Sequence, residues 1–191
     1  MLVLASASPR RQALLHNAGI SFSVQPADVD ETPLPGESAR ECAERLAREK
    51  ALTVWRTRPQ DLVLGADTIV VVDETILGKP ADADDAGRML RLLSGRVHKV
   101  ITGVCLVEAA VKENNEQGRT ASETTLVTMS EITDDEIRAY VATGEPMDKA
   151  GAYAIQGRAS RWIPRIEGDY SNVVGLPVAL LYRMLRERRR V

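Results

Sequence analysis

The segment that most constrains the fold of this chain is Leu62–Val72, with the sequence LVLGADTIVVV. Apart from one aspartate and one threonine, it contains only glycine, alanine and branched aliphatic residues. A run of this kind is typical of a strand that is buried on both faces, because no polar side is left for water. We therefore expect a buried strand here, extended at its end.

The segments on either side alternate between strand and helix patterns. Leu2–Ala5 predicts a short buried strand, and Ser8 followed by Pro9 predicts a helix start, with Gly19 at the helix end. The polar segment Asn114–Ser122 is typical of an exposed hairpin tip. Further strands are expected at Phe22–Pro26, Val97–Val107 and Thr124–Ser130. Further helices are expected at Glu37–Arg56, after the loop Gly78–Asp82 up to Leu93, at Thr133–Gly144 and at Pro177–Arg190. Interleaved strands and helices predict the α/β class.

Composition narrows the class of protein. The chain has 191 residues, 44% of them apolar and 27% charged, which fits one soluble domain. Its net charge of −2 argues against a dedicated nucleic-acid binder. The only cysteines, Cys42 and Cys105, lie far apart, which excludes a disulfide framework and a cysteine-rich zinc site. With only His16 and His98 present, most histidine-based metal sites are excluded, and His98 is expected to be structural.

Targeting signals are missing from the sequence pattern. The apolar run at the N-terminus is short and precedes its positive charges, the reverse of a secretory signal. No apolar run approaches the roughly 18 residues of a membrane span. We therefore expect a cytoplasmic protein without membrane attachment.

The first helix carries two arginines on or beside its apolar face. Its apolar stripe is formed by Leu14, Leu15 and Ala18. Arg11 falls inside that stripe and Arg10 lies at its edge, although the helix dipole disfavours cations in the first turn. Free N–H groups of the helix start, the Ser6 and Ser8 hydroxyls and two guanidiniums together favour a phosphate site. The alternative is that these arginines cover their own helix start or pair with another part of the chain.

The second helix repeats this pattern. Its inward face is formed by Ala43, Leu46, Ala47 and Val54. Lys50 lies in the middle of that face, where an unpaired lysine is rarely buried. It could extend to solvent or pair with a carboxylate, but two helices with inward cations suggest a shared polyanion. We therefore expect Lys50→Met to keep or raise the stability of the unliganded protein, because an inward cation costs desolvation energy, and to weaken triphosphate binding.

Two acidic positions complete the candidate site. Asp67 interrupts the buried run, so its carboxylate is paired, metal-bound or catalytic, unless it is a strand-end or turn residue. Gly65 and Ala66 before it would leave room for a ligand beside the backbone. Glu31, in the acidic loop Asp28–Gly36, is either solvated or a metal ligand.

Taken together, these segments resemble the Maf family of nucleoside triphosphate pyrophosphatases. The resemblance runs nearly end to end, with motif order and spacing kept, and implies a single Maf-like domain over 1–191. The GEPMDKAGAYAIQG segment resembles the subgroup that acts on dTTP and UTP. The matching segments are LASASPRR (4–11), ADVDET (27–32), REKA (48–51), LGADTIVV (64–71), LGKP (77–80), LSGRVHKVITG (93–103), GEPMDKAGAYAIQG (144–157) and IEGDYSNVVGLP (166–177).

The resemblance implies a fold and a reaction. The fold would be α/β, a mixed sheet with flanking helices and two lobes around a deep cleft, similar to inosine triphosphate pyrophosphatases. The reaction would be hydrolysis of a pyrimidine nucleoside triphosphate (dTTP, UTP, CTP or a modified pyrimidine nucleotide) to the monophosphate and pyrophosphate, assisted by Mg²⁺ or Mn²⁺. A homodimer is the assembly that the resemblance makes plausible.

The resemblance also implies roles for individual residues. Asp67 matches the proton acceptor, and Glu31 an acidic position tied to activity; both are candidate metal ligands. The triphosphate positions are matched by Ser8, Arg10, Arg11, Lys50 and Lys79, and the positions for pyrimidine selection by Arg11, Thr68 and Gln156.

Two other classes of protein remain open from the residues alone. An SPRR-type nucleic-acid regulator conflicts with the acidic net charge and the inward cations, and a sugar- or lipid-phosphate phosphatase could use the same anion site.

Overall fold

In the computed structural model, which describes residues 1–109 and 116–188, seven strands and six α-helices are interleaved along the chain. The strands are β1 (Leu2–Leu4), β2 (Ser23–Val24), β3 (Leu62–Val72), β4 (Thr75–Leu77), β5 (Val97–Ala109), β6 (Glu116–Thr128) and β7 (Arg165–Glu167). The helices are α1 (Pro9–Asn17), α2 (Ala39–Trp55), α3 (Ala83–Leu93), α4 (Asp134–Val141), α5 (Tyr170–Val174) and α6 (Val178–Arg188). Short 3-10 helices cover Glu145–Asp148, Ala150–Ala152 and Arg158–Trp162.

The strands form one mixed sheet in the order β2-β1-β3-β5-β6-β7, with β4 paired to β3. Strand β1 is parallel to both neighbours, with Val3 opposite Ser23 and Val63. Strands β3 and β4 are antiparallel, as are β6 and β7. The α/β class with a mixed sheet and flanking helices is therefore confirmed. None of the helices within residues 1–109 and 116–188 combines the length and the hydropathy that a membrane span requires.

The chain divides into two compact units. The first contains Met1–Asp67, Thr102–Glu123 and Gly175–Val191, and the second contains Thr68–Ile101 and Thr124–Val174. Both units are built from segments that lie far apart in the sequence. The organisation as a single domain stays a prediction from the sequence.

In the first unit, side chains on β1 and β3 alternate between two faces of the sheet. Between one face of the sheet and helices α1 and α6 lies a core that contains Leu2, Leu4, Leu15, Leu62, Leu64, Ala66, Leu180, Leu181 and Met184. Between the other face and α2 lies a core that contains Val3, Ala47, Ala51, Val54, Val63 and Cys105. Because the alternation has a period of two, Asp67 follows Val63 and Gly65 onto the face that α2 covers.

Helix α2 lies in direct backbone contact with two glycines of the sheet. A Cβ atom added at Gly65 would lie 2.0 Å from the Ala47 carbonyl oxygen and 2.8 Å from the Ala51 nitrogen. A Cβ atom added at Gly103 would lie 2.2 Å from the Ala43 carbonyl oxygen. The expectation that Gly65 leaves room for a ligand is therefore wrong, because α2 occupies that space.

The second unit has its own core. It is formed by Val70, Val72, Leu90, Leu93, Val100, Val127, Ile137, Tyr140 and Trp162. Helix α4 begins with the predicted capping box, in which Thr133 and Glu136 exchange side-chain and backbone hydrogen bonds. His98 is buried, its Nε2 lies 2.8 Å from the Tyr153 hydroxyl, and burial lowers its pKa to about 4. These contacts fit the structural role expected for His98.

The largest difference from the sequence prediction is at β6, which begins at Glu116. The predicted tip at Asn114–Ser122 is therefore wrong from residue 116 onwards, while residues 114 and 115 lie outside the described part. Polar residues follow one another on this strand because much of it is only half-buried. The β3–β4 hairpin was also missed, because its turn residues Asp73 and Glu74 adopt positive φ without the usual glycine.

Candidate active site

Ser8 organises the start of α1. Its hydroxyl oxygen accepts a hydrogen bond from the Arg11 backbone N–H at 3.4 Å, and Pro9 occupies the first helical position. The Ser6 hydroxyl oxygen accepts from the Ser8 N–H at 3.2 Å. The predicted helix start is thus confirmed, and the O–H groups of both serines are potential donors to an anion.

Arg11 is held beside this helix start in a half-buried position. Its Nη1 donates to the Ser6 hydroxyl at 3.1 Å, and its Nε donates to the Gly175 carbonyl at 2.8 Å. Burial lowers the pKa of Arg11 below its ordinary value. The Asp67 and Glu31 carboxylates oppose this pKa shift, and the neighbouring Arg10 reinforces it. A bound anion would offset both the burial of Arg11 and its repulsion from Arg10.

Lys50 joins the two predicted acidic residues. Its Nζ donates to Asp67 Oδ1 and to Glu31 Oε1, each at 2.6 Å. Lys50 is 7% exposed and Asp67 is 8% exposed, whereas the Glu31 side chain is 42% exposed. The predicted inward position of Lys50 is confirmed, and of the alternatives considered for it, pairing with a carboxylate is the one observed.

The loop that carries Glu31 is fastened to α2 by Arg45. The Arg45 Nη2 donates to the Thr32 carbonyl at 3.1 Å, and its guanidinium contacts both Glu37 carboxylate oxygens at 2.7 and 2.9 Å. The hydrogen bond from Arg45 is the largest cause that lowers the pKa of Glu37 to about 2. Sequence reasoning missed Arg45, because an arginine near a charged loop usually indicates a solvated surface.

The two carboxylates fit a divalent cation. Asp67 and Glu31 already converge on one cationic group, the Lys50 ammonium. Mg²⁺ is commonly held by one or two carboxylates, with substrate phosphates and water completing its coordination. Within residues 1–109 and 116–188, no cluster of three or more His, Cys, Asp or Glu side chains is placed to hold a metal. The donor set therefore suits a metal that enters with a phosphate ligand.

The other predicted residues belong to the second unit. Thr68 is half-buried on β3, and Lys79 is exposed in the loop between β4 and α3. Gln156 is exposed in a turn between two 3-10 helices. Of the predicted site residues, Asp67 and Glu31 both contact Lys50. Arg11 lies within electrostatic range of both carboxylates.

Comparison with known proteins identifies the fold first and then the family. The solved structure of the Staphylococcus aureus Ham1 protein matches with a TM-score of 0.53 and 15% sequence identity, over 98% of each chain. This likeness shows that the two chains share a fold. The family model described as Maf-like protein matches residues 1–188, so the chain belongs to the Maf family.

Curated relatives support the same assignment over nearly the whole chain. A dTTP/UTP pyrophosphatase of Koribacter versatilis is 56% identical over 97% of this chain and 93% of its own length. The dTTP/UTP pyrophosphatase of Syntrophomonas wolfei is 51% identical over 97% of this chain and 96% of its own length. That of Pelotomaculum thermopropionicum is 50% identical over 97% of this chain and 95% of its own length.

The ion pairs of Lys50 reverse the effect that the sequence suggested for its replacement. Lys50→Met is expected to lower the free energy of unfolding by about 2 kcal/mol, because the nearly buried Asp67 carboxylate loses its ammonium partner. Urea unfolding at pH 7 measures this change. The matched control is the double variant Lys50→Met/Asp67→Asn, in which no nearly buried carboxylate is left without a partner and part of the stability should return, since the Glu31 side chain is 42% exposed. A single variant as stable as the wild type would mean that the ion pairs contribute no net stability.

Proposed function

We propose that this chain hydrolyses nucleoside triphosphates to the monophosphate and pyrophosphate, with dTTP and UTP as its best substrates. The observation that carries the proposal is the contact of Lys50 with Asp67 and Glu31, in electrostatic range of Arg11 at a helix start. It brings cations for a polyphosphate together with carboxylates for a water or a metal. The names of the curated relatives support the pyrimidine substrates.

Phosphate binding is proposed for the cationic residues. Arg10 and Arg11 lie in the first turn of α1, where backbone N–H groups also favour anions. The Ser8 hydroxyl adds a donor, and Lys50 adds a charge on the face of α2. Lys79, in its exposed loop, is proposed to contact the same triphosphate. The two arginines and Lys79 supply charge that offsets that of the substrate, whereas the Lys50 charge is already balanced by Asp67 and Glu31.

Asp67 is proposed as the base. It orients a water molecule and accepts its proton while the water oxygen bonds to the α-phosphorus. The bond from the α-phosphorus to the bridging oxygen breaks, and pyrophosphate leaves with the bonding electrons. The Lys50 ammonium fixes the carboxylate by its 2.6 Å hydrogen bond. No covalent intermediate with the protein is required.

A divalent metal fits the same two carboxylates. Asp67 and Glu31 would hold Mg²⁺ or Mn²⁺, with phosphate oxygens and water as the further ligands. When bound, the metal supplies positive charge that stabilises the charge developing on phosphate. Arg45 supports this role indirectly, because it fastens the loop that carries Glu31.

Base selection is proposed for residues that can present paired donors and acceptors. The Gln156 amide carries one acceptor and a two-hydrogen donor, the pattern needed for a uracil or thymine edge. Thr68 and Arg11 are proposed to assist this selection. Gln156 is exposed, as a contact with a ligand requires.

A pyrophosphate-release screen over the common and modified nucleoside triphosphates, with Mg²⁺ or Mn²⁺ added, tests the proposal. We expect pyrophosphate from dTTP and UTP at the highest rates. A purine triphosphate preferred tenfold or more would refute the pyrimidine assignment. Release of inorganic phosphate from sugar or lipid phosphates would instead indicate a phosphatase. DNA binding with a steep dependence on salt would indicate a nucleic-acid regulator.

A further inference from the structure

The turn that carries Gln156 has a defined backbone. The Gly157 N–H donates to the Ala154 carbonyl at 3.0 Å, so Ile155 and Gln156 occupy the two central positions. The Gln156 side chain is exposed. An exposed amide has many rotamers, so the turn beneath it fixes the point and direction from which the side chain reaches a ligand.

Two side chains anchor this turn at its flanks. The Tyr140 hydroxyl oxygen accepts a hydrogen bond from the Ala154 N–H at 3.3 Å, on the N-terminal side. Glu145 Oε1 accepts from the Arg158 N–H at 3.0 Å, on the C-terminal side. The same Tyr140 hydroxyl donates to Glu145 Oε1 at 2.9 Å, which links the two anchors.

The Tyr140 anchor is itself rigid. Tyr140 is 1% exposed, and its ring packs edge-on against Trp162 with centroids 5.3 Å apart. Burial, followed by the hydrogen bond to Glu145, raises the pKa of Tyr140 above its ordinary value, so its hydroxyl stays a donor at neutral pH. A rigid, neutral phenol therefore orients the Glu145 carboxylate.

Gly157 completes the arrangement by leaving room for that carboxylate. A Cβ atom at Gly157 would lie 2.0 Å from Glu145 Oε1. Lys149 holds the other end of the same segment, because its Nζ donates to the Glu145 carbonyl at 2.6 Å. The turn is thus packed directly onto Glu145 rather than standing free of it.

We propose that Tyr140 and Glu145 are positioning residues that set the pyrimidine selectivity of the enzyme by fixing the turn under Gln156. The inference rests on the proposed function, in which Gln156 contacts the base. A hydrogen-bonding amide discriminates between bases only when its donor and acceptor are correctly placed. Neither anchor touches the substrate in this scheme; both act through Gln156.

Tyr140→Phe tests the proposal with the smallest change of shape. It removes the hydroxyl that joins Ala154 and Glu145 and keeps the ring against Trp162. We expect the ratio of kcat/KM for UTP to kcat/KM for GTP to fall about fivefold, as for the loss of about one hydrogen bond. The loss should appear mainly in KM for UTP, because the reacting groups are unchanged. Tyr182→Phe, at an exposed tyrosine, is the matched control and should keep the ratio.

A double variant separates this route from a general loss of structure. If Tyr140 acts through Gln156, Tyr140→Phe should not change the ratio further in a Gln156→Ala background. An equal fall in both backgrounds, or an unchanged ratio in Tyr140→Phe alone, would overturn the proposal. So would a Gln156→Ala variant with the wild-type ratio. Thermal unfolding of each variant verifies that the folded proteins are compared.

Amide hydrogen exchange of the unliganded protein provides a readout that needs no activity. The N–H groups of Ala154 and Arg158 should exchange faster in Tyr140→Phe than in the wild type. Unchanged exchange in an active protein would refute the anchoring and leave the proposed function intact. A wild-type protein that releases no pyrophosphate from any nucleoside triphosphate would refute the proposed function itself.

Discussion

Replacement of Asp67 by asparagine is expected to lower kcat about 10²–10⁴-fold while the protein stays folded, as for the loss of a positioned base. The amide keeps the size of the carboxylate and one oxygen that can accept the hydrogen bond from Lys50. It cannot take the proton of an attacking water, and it is a poorer ligand for a divalent cation. The chemical step should therefore suffer far more than the fold.

The measurement is steady-state pyrophosphate release from dTTP at saturating metal, together with thermal unfolding of the same preparation. Asp135→Asn is the matched control, because the Asp135 side chain is 89% exposed and pairs only with Arg138 among the contacts described. The control should keep the wild-type rate. Near-normal turnover of a folded Asp67→Asn protein would remove Asp67 from the mechanism.

The substitution Gly65→Ala is expected to lower the free energy of unfolding by about 4 kcal/mol, at the upper end of the effects of overpacking. The added methyl group would meet the Ala47 carbonyl and the Ala51 N–H, which are the two groups that an α-helix joins by a hydrogen bond. Neither is the end of a flexible side chain, so the helix backbone itself has to move. For a chain of this length the melting temperature should fall by roughly 8–16 °C.

Gly118→Ala is the matched control for Gly65→Ala. Gly118 also lies in a strand, but an added Cβ atom would have its nearest neighbour, a Val107 methyl group, at 3.9 Å. Its melting temperature should stay close to that of the wild type. Equal melting temperatures for the two variants would show that α2 can retreat from β3 at little cost. Because Lys50 precedes Ala51 on α2, we also expect Gly65→Ala to weaken the contact between Lys50 and Asp67.

Local signals in the sequence predicted much of the first unit. Ser8 and Pro9 set the start of α1, and the apolar run set β3 from Leu62 to Val72. Helical periodicity placed Lys50 inward, and a carboxylate inside a buried run marked Asp67. These predictions succeeded because each depends on a few neighbouring residues.

Contacts between distant residues were beyond such reasoning. Periodicity showed that Lys50 was buried, but not that Glu31 and Asp67 would share its ammonium. Gly65 was expected to leave room for a ligand, but the backbone of α2 occupies that space. Arg45 and Tyr140 gave no signal, because their roles arise only when the chain brings a loop or a turn against them.

The packing of Leu2 and Leu4 with Leu181 and Met184 has a consequence for how the protein is made. During synthesis, the first strand leaves the ribosome roughly 10–40 s before its partners from the last helix, at typical elongation rates. Until then, apolar residues in the core of the first unit stay exposed. Native contacts of such long sequence separation also slow folding. A nascent chain of this protein should therefore depend on chaperones more than one whose neighbouring segments pack with each other.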